Sequence, residues 1–162
     1  MKTWIGSGLA LALLVGLLPT AHAQEASGFF RFKQERGDYS HGVAVRWADP
    51  DNPGQFKIGV VLASVPLDAA LGRGEMAPLD AIVQPLDSDA AALRLSLSGP
   101  DSELKIDHLF SRPGGFNTNG DGKEKIAIAG GRIKGSWKLP PKEFFDDTYE
   151  ADFRFDLPLV EL

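Results

Sequence analysis

The stretch Thr148-Tyr149-Glu150-Ala151-Asp152-Phe153-Arg154-Phe155-Asp156-Leu157 alternates polar and apolar residues through five consecutive pairs. A β-strand turns successive side chains to opposite faces. Tyr149, Ala151, Phe153, Phe155 and Leu157 therefore share one face, and the polar residues share the other. A helical period does not place those five on one side. The spacing predicts a long, half-buried strand. Pro158, which has no N–H to donate, is expected to end it or confine it to an edge.

The same two-residue rhythm recurs upstream. Val43, Val45 and Trp47 oppose Ala44 and Arg46, while Leu93, Leu95 and Leu97 oppose Arg94 and Ser96. Leu104, Ile106, His108 and Phe110 alternate with Glu103, Lys105 and Asp107, with Leu109 breaking the outer face. Ile126 and Ile128, then Ile133 and Trp137 opposite Lys134, Ser136 and Lys138, add two more strands, and Phe30 and Phe32 open the fold on one face. Phe56 to Ala63 is apolar on both faces, the mark of a central strand covered from both sides. Turn residues punctuate these runs. Asp49-Pro50-Asp51-Asn52-Pro53-Gly54 reads as a reverse turn, Gly99-Pro100-Asp101 as a hairpin connection, and Gly130-Gly131 as a type I′ turn. Two segments do not read as strands: Pro66 to Leu71 suits one helical turn stopped by Gly72 and Gly74, and Pro140 to Asp147 reads as a connecting loop. Short strands at this spacing predict an all-β domain, an antiparallel β-sandwich (immunoglobulin-like or related) or, alternatively, a small open β-barrel.

The chain has 162 residues and a formal charge of −5, with 43% hydrophobic and 24% charged residues and no Cys. That composition is globular, and the missing thiols exclude a disulfide scaffold, a thiol nucleophile and lipid attachment through cysteine. The acidic balance excludes a broad phosphate-binding surface, so nucleic acid is not an expected partner. The N-terminus carries Lys2, an apolar run from Ile5 to Leu18, Pro19 and the small-x-small triplet Ala21-His22-Ala23. This is the layout of a cleaved export signal, residues 1–23. At about 1.5 Å per residue the run spans roughly 21 Å, short of a hydrocarbon core of about 30 Å, so no transmembrane anchor is expected. Cleavage would remove Lys2 and no acid, leaving 16 bases against 22 acids, a charge of −6, on one domain from residue 24 to 162. The expected location is the periplasm or the exterior of a bacterium.

Chemistry-bearing patterns are sparse. Asn117-Thr118-Asn119-Gly120-Asp121-Gly122 resembles the first half of a calcium loop, but the closing twelfth position is Ile128. A polar loop without a cofactor is the expectation, with calcium as the alternative. Ser40 precedes His41, yet neighbours on a strand face opposite ways. His108 falls in an apolar register and is expected in the core. Asp146 and Asp147 follow Phe144-Phe145, where burial beside aromatics can raise a carboxyl pKa. Other close acids are Asp49 with Asp51, Asp87 with Asp89, and Asp152 with Asp156. Trp47 and Trp137 are expected in the core, and Phe116, between Gly115 and Asn117, is the aromatic expected near the surface. The candidate site residues are thus Phe116, Asn117, Asn119, Asp121, Asp146 and Asp147. Arg132, Lys134 and Lys138 read as a solvated face.

Three stretches resemble a group of uncharacterised exported bacterial β-rich proteins. They are His41-Gly42-Val43-Ala44-Val45 with Val60-Val61-Leu62-Ala63-Ser64-Val65-Pro66-Leu67-Asp68, then Gly131-Arg132-Ile133-Lys134-Gly135-Ser136-Trp137, and Glu143-Phe144-Phe145-Asp146-Asp147-Thr148-Tyr149 running into Phe153-Arg154-Phe155-Asp156. The resemblance implies a sandwich and an extracytoplasmic life, and it transfers no activity or site residue. The expected function is a soluble binding or interaction protein without catalytic activity, whose partner is an extracytoplasmic protein or glycan. One alternative is an inhibitor or immunity protein against an extracytoplasmic hydrolase, its acidity speeding encounter with a basic partner. A second is a glycan or ester hydrolase using Asp146 or Asp147. A third is an envelope-associated structural protein pairing through an edge strand near Pro158.

Overall fold

A computed structural model describes residues 25–162, so the expected signal segment lies outside the described residues. Among the described residues ten strands form: β1 (Glu25–Phe32), β2 (Glu35–Tyr39), β3 (His41–Ala48), β4 (Phe56–Ala63), β5 (Ala92–Ser98), β6 (Lys105–Arg112), β7 (Asn117–Thr118), β8 (Lys125–Ala129), β9 (Arg132–Phe144) and β10 (Asp147–Glu161). Between β4 and β5 lie a 3-10 turn, Ala69–Arg73, and a short helix, α1 (Pro78–Val83). Among the described residues no helix is long and apolar enough to cross a membrane.

The alternating stretch is β10, and the sheet is organised around it. Tyr149 to Asp156 pair antiparallel with β1, and Asp147 to Pro158 pair antiparallel with β9. Beyond the end of β1, Leu159 to Glu161 pair in parallel with Ala44 to Arg46 of β3. One hydrogen-bonded path therefore runs β2-β1-β10-β3-β4-β5-β6-β7, with β9 and β8 attached to β10. The chain is all-β, and this path curls into an open half-barrel, the second of the two expected forms. A strand of 15 residues is long enough to serve three neighbours, so the two halves share a backbone instead of stacking as separate layers.

The far margin of the curl is stitched between β6 and β8. Leu104 bridges to Ile126, its N–H donating to the Ile126 carbonyl at 2.9 Å. The Gly120 N–H donates to Ile106 at 2.8 Å, and the Ile106 N–H donates to Glu124 Oε1 at 3.0 Å. The Glu124 carboxylate, 4% exposed, thus stands in for a backbone acceptor through Oε1, while its Oε2 is buried without a hydrogen-bond partner among the described residues.

Two apolar clusters result. The main core inside the curl includes Phe30, Leu62, Leu95, Trp137, Phe153 and Phe155. A second cluster, Val43, Val45 and Val61 with Leu79 and Ile82 of α1, covers the outer face of β3 and β4. From Ile58 to Ala63 β4 is buried on both faces, as its composition implied, while Phe56 at its start is exposed. On β3 the sidedness is reversed from the simple expectation: Ala44 faces the main core, while Val43, Val45 and half-buried Trp47 face the helix layer. Trp137 is buried as expected. The outer face of β10 is charged, and Asp156 meets Arg132 at 2.7 Å and Lys134 at 2.9 Å, while Asp152 meets Lys138 at 3.1 Å. Cross-strand pairs of this kind contribute modestly each but favour the observed register.

Several expectations are corrected. Pro158 does not end its strand. It sits where β10 has lost β1 and is about to meet β3, so its missing N–H falls at a change of partner. Pro140 to Phe144 is not a loop but the end of β9, and the two prolines lie at a register irregularity opposite Tyr149 to Ala151. Strand pairing by β10 overrides the loop-like composition there. Pro78–Val83 forms a helix with Pro at its start, where a missing N–H costs nothing. The helical turn expected at 66–71 forms slightly later, at 69–73, with the Asp68 side chain accepting from the Ala70 N–H at 2.8 Å. His108 is exposed, not in the core. A bulge between Ser96 and Leu97 inserts Asp107 and inverts the alternation downstream, so Leu109 and Ser111 point inward. The Gly130-Gly131 turn forms as read, both residues having positive φ between Ala129 and Arg132.

Gly135 pairs with Phe155, and the ring occupies the space a Cβ would need. Gly135→Ala is expected to displace the ring and to destabilise the protein by about 1–3 kcal/mol, the usual result of overpacking. Urea unfolding measures this directly, and a loss below about 0.5 kcal/mol would contradict the packing described.

Candidate functional site

At one end of the half-barrel three connections meet. The β1–β2 turn is Lys33-Gln34 and the β9–β10 turn is Phe145-Asp146, both two-residue loops. The third is the Pro113–Phe116 segment between β6 and β7. The Lys33 N–H donates to the Thr148 carbonyl at 2.9 Å, and Lys33 Nζ lies 3.0 Å from Asp147, so the two turns are tied side by side. A shallow cleft of about 480 Å³ between them is lined by Lys33, Glu35, Asp146, Asp147 and Thr148.

Phe116 is 4% exposed, which corrects the expectation of a surface aromatic. Its ring stacks on Phe32 at 4.2 Å, lies 5.9 Å from Phe30 and 4.9 Å from Tyr149, and meets Phe144 edge-on at 5.1 Å. Phe144 in turn meets Phe145 edge-on at 4.8 Å. An aromatic column thus runs from the core to the tip of the hairpin, and it ends on a ring that is 90% exposed. The loop origin of Phe116 hid this, because only the long-range meeting of three connections encloses it.

Phe145 carries two costs and recovers neither through folding. Its φ is +54°, where a bulky side chain is an outlier and Gly, Asn or Asp is the usual choice. Such a conformation costs of order 1–3 kcal/mol. Its ring also forgoes the roughly 1.5–3 kcal/mol that burying a Phe side chain gives. The flanking acids Glu143 and Asp146 are exposed and make no ion pair among the described residues, while Asp147 is held by Lys33.

The other candidate residues are structural or open. Asn117 is exposed on β7 and pairs with Phe110, and Asn119 is exposed. Asp121 Oδ1 accepts from the Trp137 indole N–H at 2.8 Å and from the Lys123 N–H at 3.1 Å. Burial pushes its carboxyl pKa up, but these donors and the Lys123 charge outweigh that and leave it below the ordinary value. Among the described residues no group of three or more His, Cys, Asp or Glu side chains is placed to hold a metal. The Ser40 hydroxyl donates to the Ser64 carbonyl at 3.5 Å, not to His41. Asp49, at the β3–β4 turn, accepts from Asn52 and the Asp51 N–H at 2.9 Å each and meets Lys57 at 2.9 Å. Those donors, Asn52 foremost, hold its carboxyl down at about 2. A wider cleft of about 710 Å³ beside this turn is lined by Trp47, Lys57, Arg73, Met76 and Pro78.

Asp121→Ala would leave the buried Trp137 N–H without its acceptor, at an expected cost of about 1–3 kcal/mol in chemical denaturation. Asp49 is depressed from 3.8 to about 2, so its contribution to stability is complete above pH about 4 and is lost as pH falls through about 2. The stability gap between wild type and Asp49→Ala should therefore be constant from neutrality down to pH about 4 and shrink between about 4 and 2. A gap that does not narrow over that interval would disconnect Asp49 from these donors. No protein family, characterised protein or solved structure matches this chain.

Proposed function

We propose that the protein is an exported, non-catalytic binding module that engages an extracytoplasmic protein through the tip of the β9–β10 hairpin. The observation that carries this reading is Phe145, 90% exposed in a strained backbone at the end of an aromatic column. Folding stability does not account for a large ring in that conformation, whereas an apolar projection is what a partner's pocket takes up. Aromatic residues are enriched in protein interfaces for this reason. Phe144, packed edge-on against Phe116, anchors the base of the projection to the core.

A sharper version is favoured by the setting of the wedge. Exposed Glu143 and Asp146 flank it, and the chain as a whole is acidic. Asp147 is paired to Lys33, and Lys142 is exposed nearby. The two acids next to the ring that make no ion pair among the described residues favour a cleft with basic groups at its rim, such as that of an extracytoplasmic hydrolase. The inhibitor or immunity role is this case of the binding reading.

Phe145→Gly is the decisive variant, because glycine accepts positive φ while removing the ring. It is expected to be at least as stable as wild type and to lose the partner. Placing the photo-crosslinker p-benzoylphenylalanine at position 145, with position 56 as an exposed control, reads this out in periplasmic extract. A discrete adduct specific to position 145, competed by wild type and not by Phe145→Gly, is the expected result. Equal adducts at both positions, or undiminished competition by Phe145→Gly, would remove the tip from the function.

A further inference from the structure

The outer face of the sheet is covered over β3 and β4 by α1 and only partly covered over β5 and β6. On that second part Ala92 is buried, Arg94, Ser96, Phe110 and Arg112 are half-buried and His108 is exposed. There Ala92 faces Arg112, Arg94 faces Phe110 and Ser96 faces His108 across the two strands. Residues two apart on a strand share a face, so these six form one grid. Its opposite side is the buried row of Leu93, Leu95, Leu109 and Ser111.

Within the grid, a cavity of about 110 Å³ is walled by Val83 of α1, Ala92, Arg94, Phe110 and Arg112. Its lining is mostly apolar, and two of the five residues that form it are arginines. The Arg94 head lies over the Phe110 ring, 4.4 Å from its centre, and is paired with Asp80 of α1. The Arg112 head is held from the other side, its Nε donating to the Ala90 carbonyl at 3.2 Å and its Nη2 to the Asp87 carbonyl at 2.8 Å. Neutral carbonyls fix its position without cancelling its charge, and no carboxylate pairs with Arg112 among the described residues. Two cations thus face one acid on a chain whose net charge is −5. Burial, and then the neighbouring Arg112 charge, push the Arg94 pKa down, so the two heads are near enough to repel.

We propose that this cavity is a binding site for a carboxylate carried on a short branched alkyl group, the alkyl part under Val83 and the carboxylate on Arg94 and Arg112. A net surplus of one positive charge is balanced by a monoanion. Each guanidinium has five N–H donors. Arg112 commits its Nε and one Nη2 hydrogen to carbonyls and Arg94 pairs through Nη1, so donors remain on both heads for a planar carboxylate. An engineered cavity of about 150 Å³ accepts benzene, so this smaller one suits a shorter hydrocarbon. The chemistry is shared by a free branched-chain acid and by a peptide C-terminus ending in valine. The site is independent of the hairpin tip, and its ligand should bind Phe145→Gly unchanged.

The arginine Nε–Hε resonances of Arg94 and Arg112, followed by NMR in the full chain, test this with 3-methylbutanoate, acetate, inorganic phosphate, and Gly-Gly-Val with a free or amidated C-terminus. Expected are saturable shifts at both arginines with 3-methylbutanoate or the free peptide, with Kd about millimolar or tighter and at least about tenfold below that of acetate or phosphate. Tighter binding by the free peptide than by 3-methylbutanoate, with none by the amide, identifies a C-terminus as the source, and the reverse order identifies a free acid. Arg112→Gln should abolish the shift at Arg94. Because that change also frees the 87–90 segment, Val83→Phe, which fills the cavity and keeps both cations, is the second variant and should abolish it too. The absence of saturation with both carboxylate probes, equal response to every anion, or undiminished binding by Val83→Phe would each overturn the site.

Discussion

The apolar stripe of β10 holds the molecule together. Tyr149, Ala151, Phe153, Phe155 and Leu157 are all buried, and the backbone between Tyr149 and Asp156 is hydrogen-bonded on both edges. Burying a large apolar side chain is worth about 1.5–3 kcal/mol, against about 0–1 for an exposed ion pair. The inner face therefore sets the register, and the salt bridges on the outer face follow from it. Because the same strand continues into a parallel pairing with β3, the two halves of the sheet cannot slide past one another without breaking β10 itself. The Glu124 carboxylate closes the opposite margin by replacing a peptide carbonyl.

On this frame the molecule distributes its exposed chemistry unevenly. The outer face over β3 and β4 is sealed by α1, whose Leu79 lies directly on Gly59, where any larger residue would push the helix away. The neighbouring β5–β6 face is only partly covered, with its cations held by stacking, by Asp80 and by neutral carbonyls. At the end of the half-barrel an aromatic column carries apolar surface out to Phe145. Phe145 projects where folding alone gives no return, whereas Arg94 and Arg112 are fixed by stacking, an ion pair and two carbonyls. Both features are carried on paired strands rather than on long loops. Rigid support of this kind limits the entropy lost when a partner or ligand is ordered against it.

Much of the fold was legible in the residues. Period-two alternation located β10, β5 and the inward face of β9, and Gly130-Gly131 announced its turn, because each of these signals is local: a strand's two faces and a glycine's φ depend on adjacent residues only. The misreadings share one cause. The alternation that points His108 and Phe110 inward runs past a bulge that arises only when β6 is laid against β5. Phe116 looked like a loop aromatic because the rings that enclose it, Phe30, Phe32, Phe144 and Tyr149, come from the two ends of the chain. Asp146 and Asp147 were visible as candidates, yet their separate situations, one free at the tip and one held by Lys33, depend on two hairpins lying side by side.

By itself, then, the order of residues determined most of the strands, the oily face of β10, β5 and β9 and the Gly130-Gly131 reversal, since these follow from side-chain period and backbone freedom within a few residues. Tertiary structure alone decided that β10 would serve three partners, that the sheet would curl instead of splitting, that Glu124 would be buried, and that Phe145 would stay exposed and the Arg94–Arg112 pair only partly covered. Those outcomes depend on which distant backbone satisfies which hydrogen bonds and on what happens to cover each face, and no local pattern carries that information.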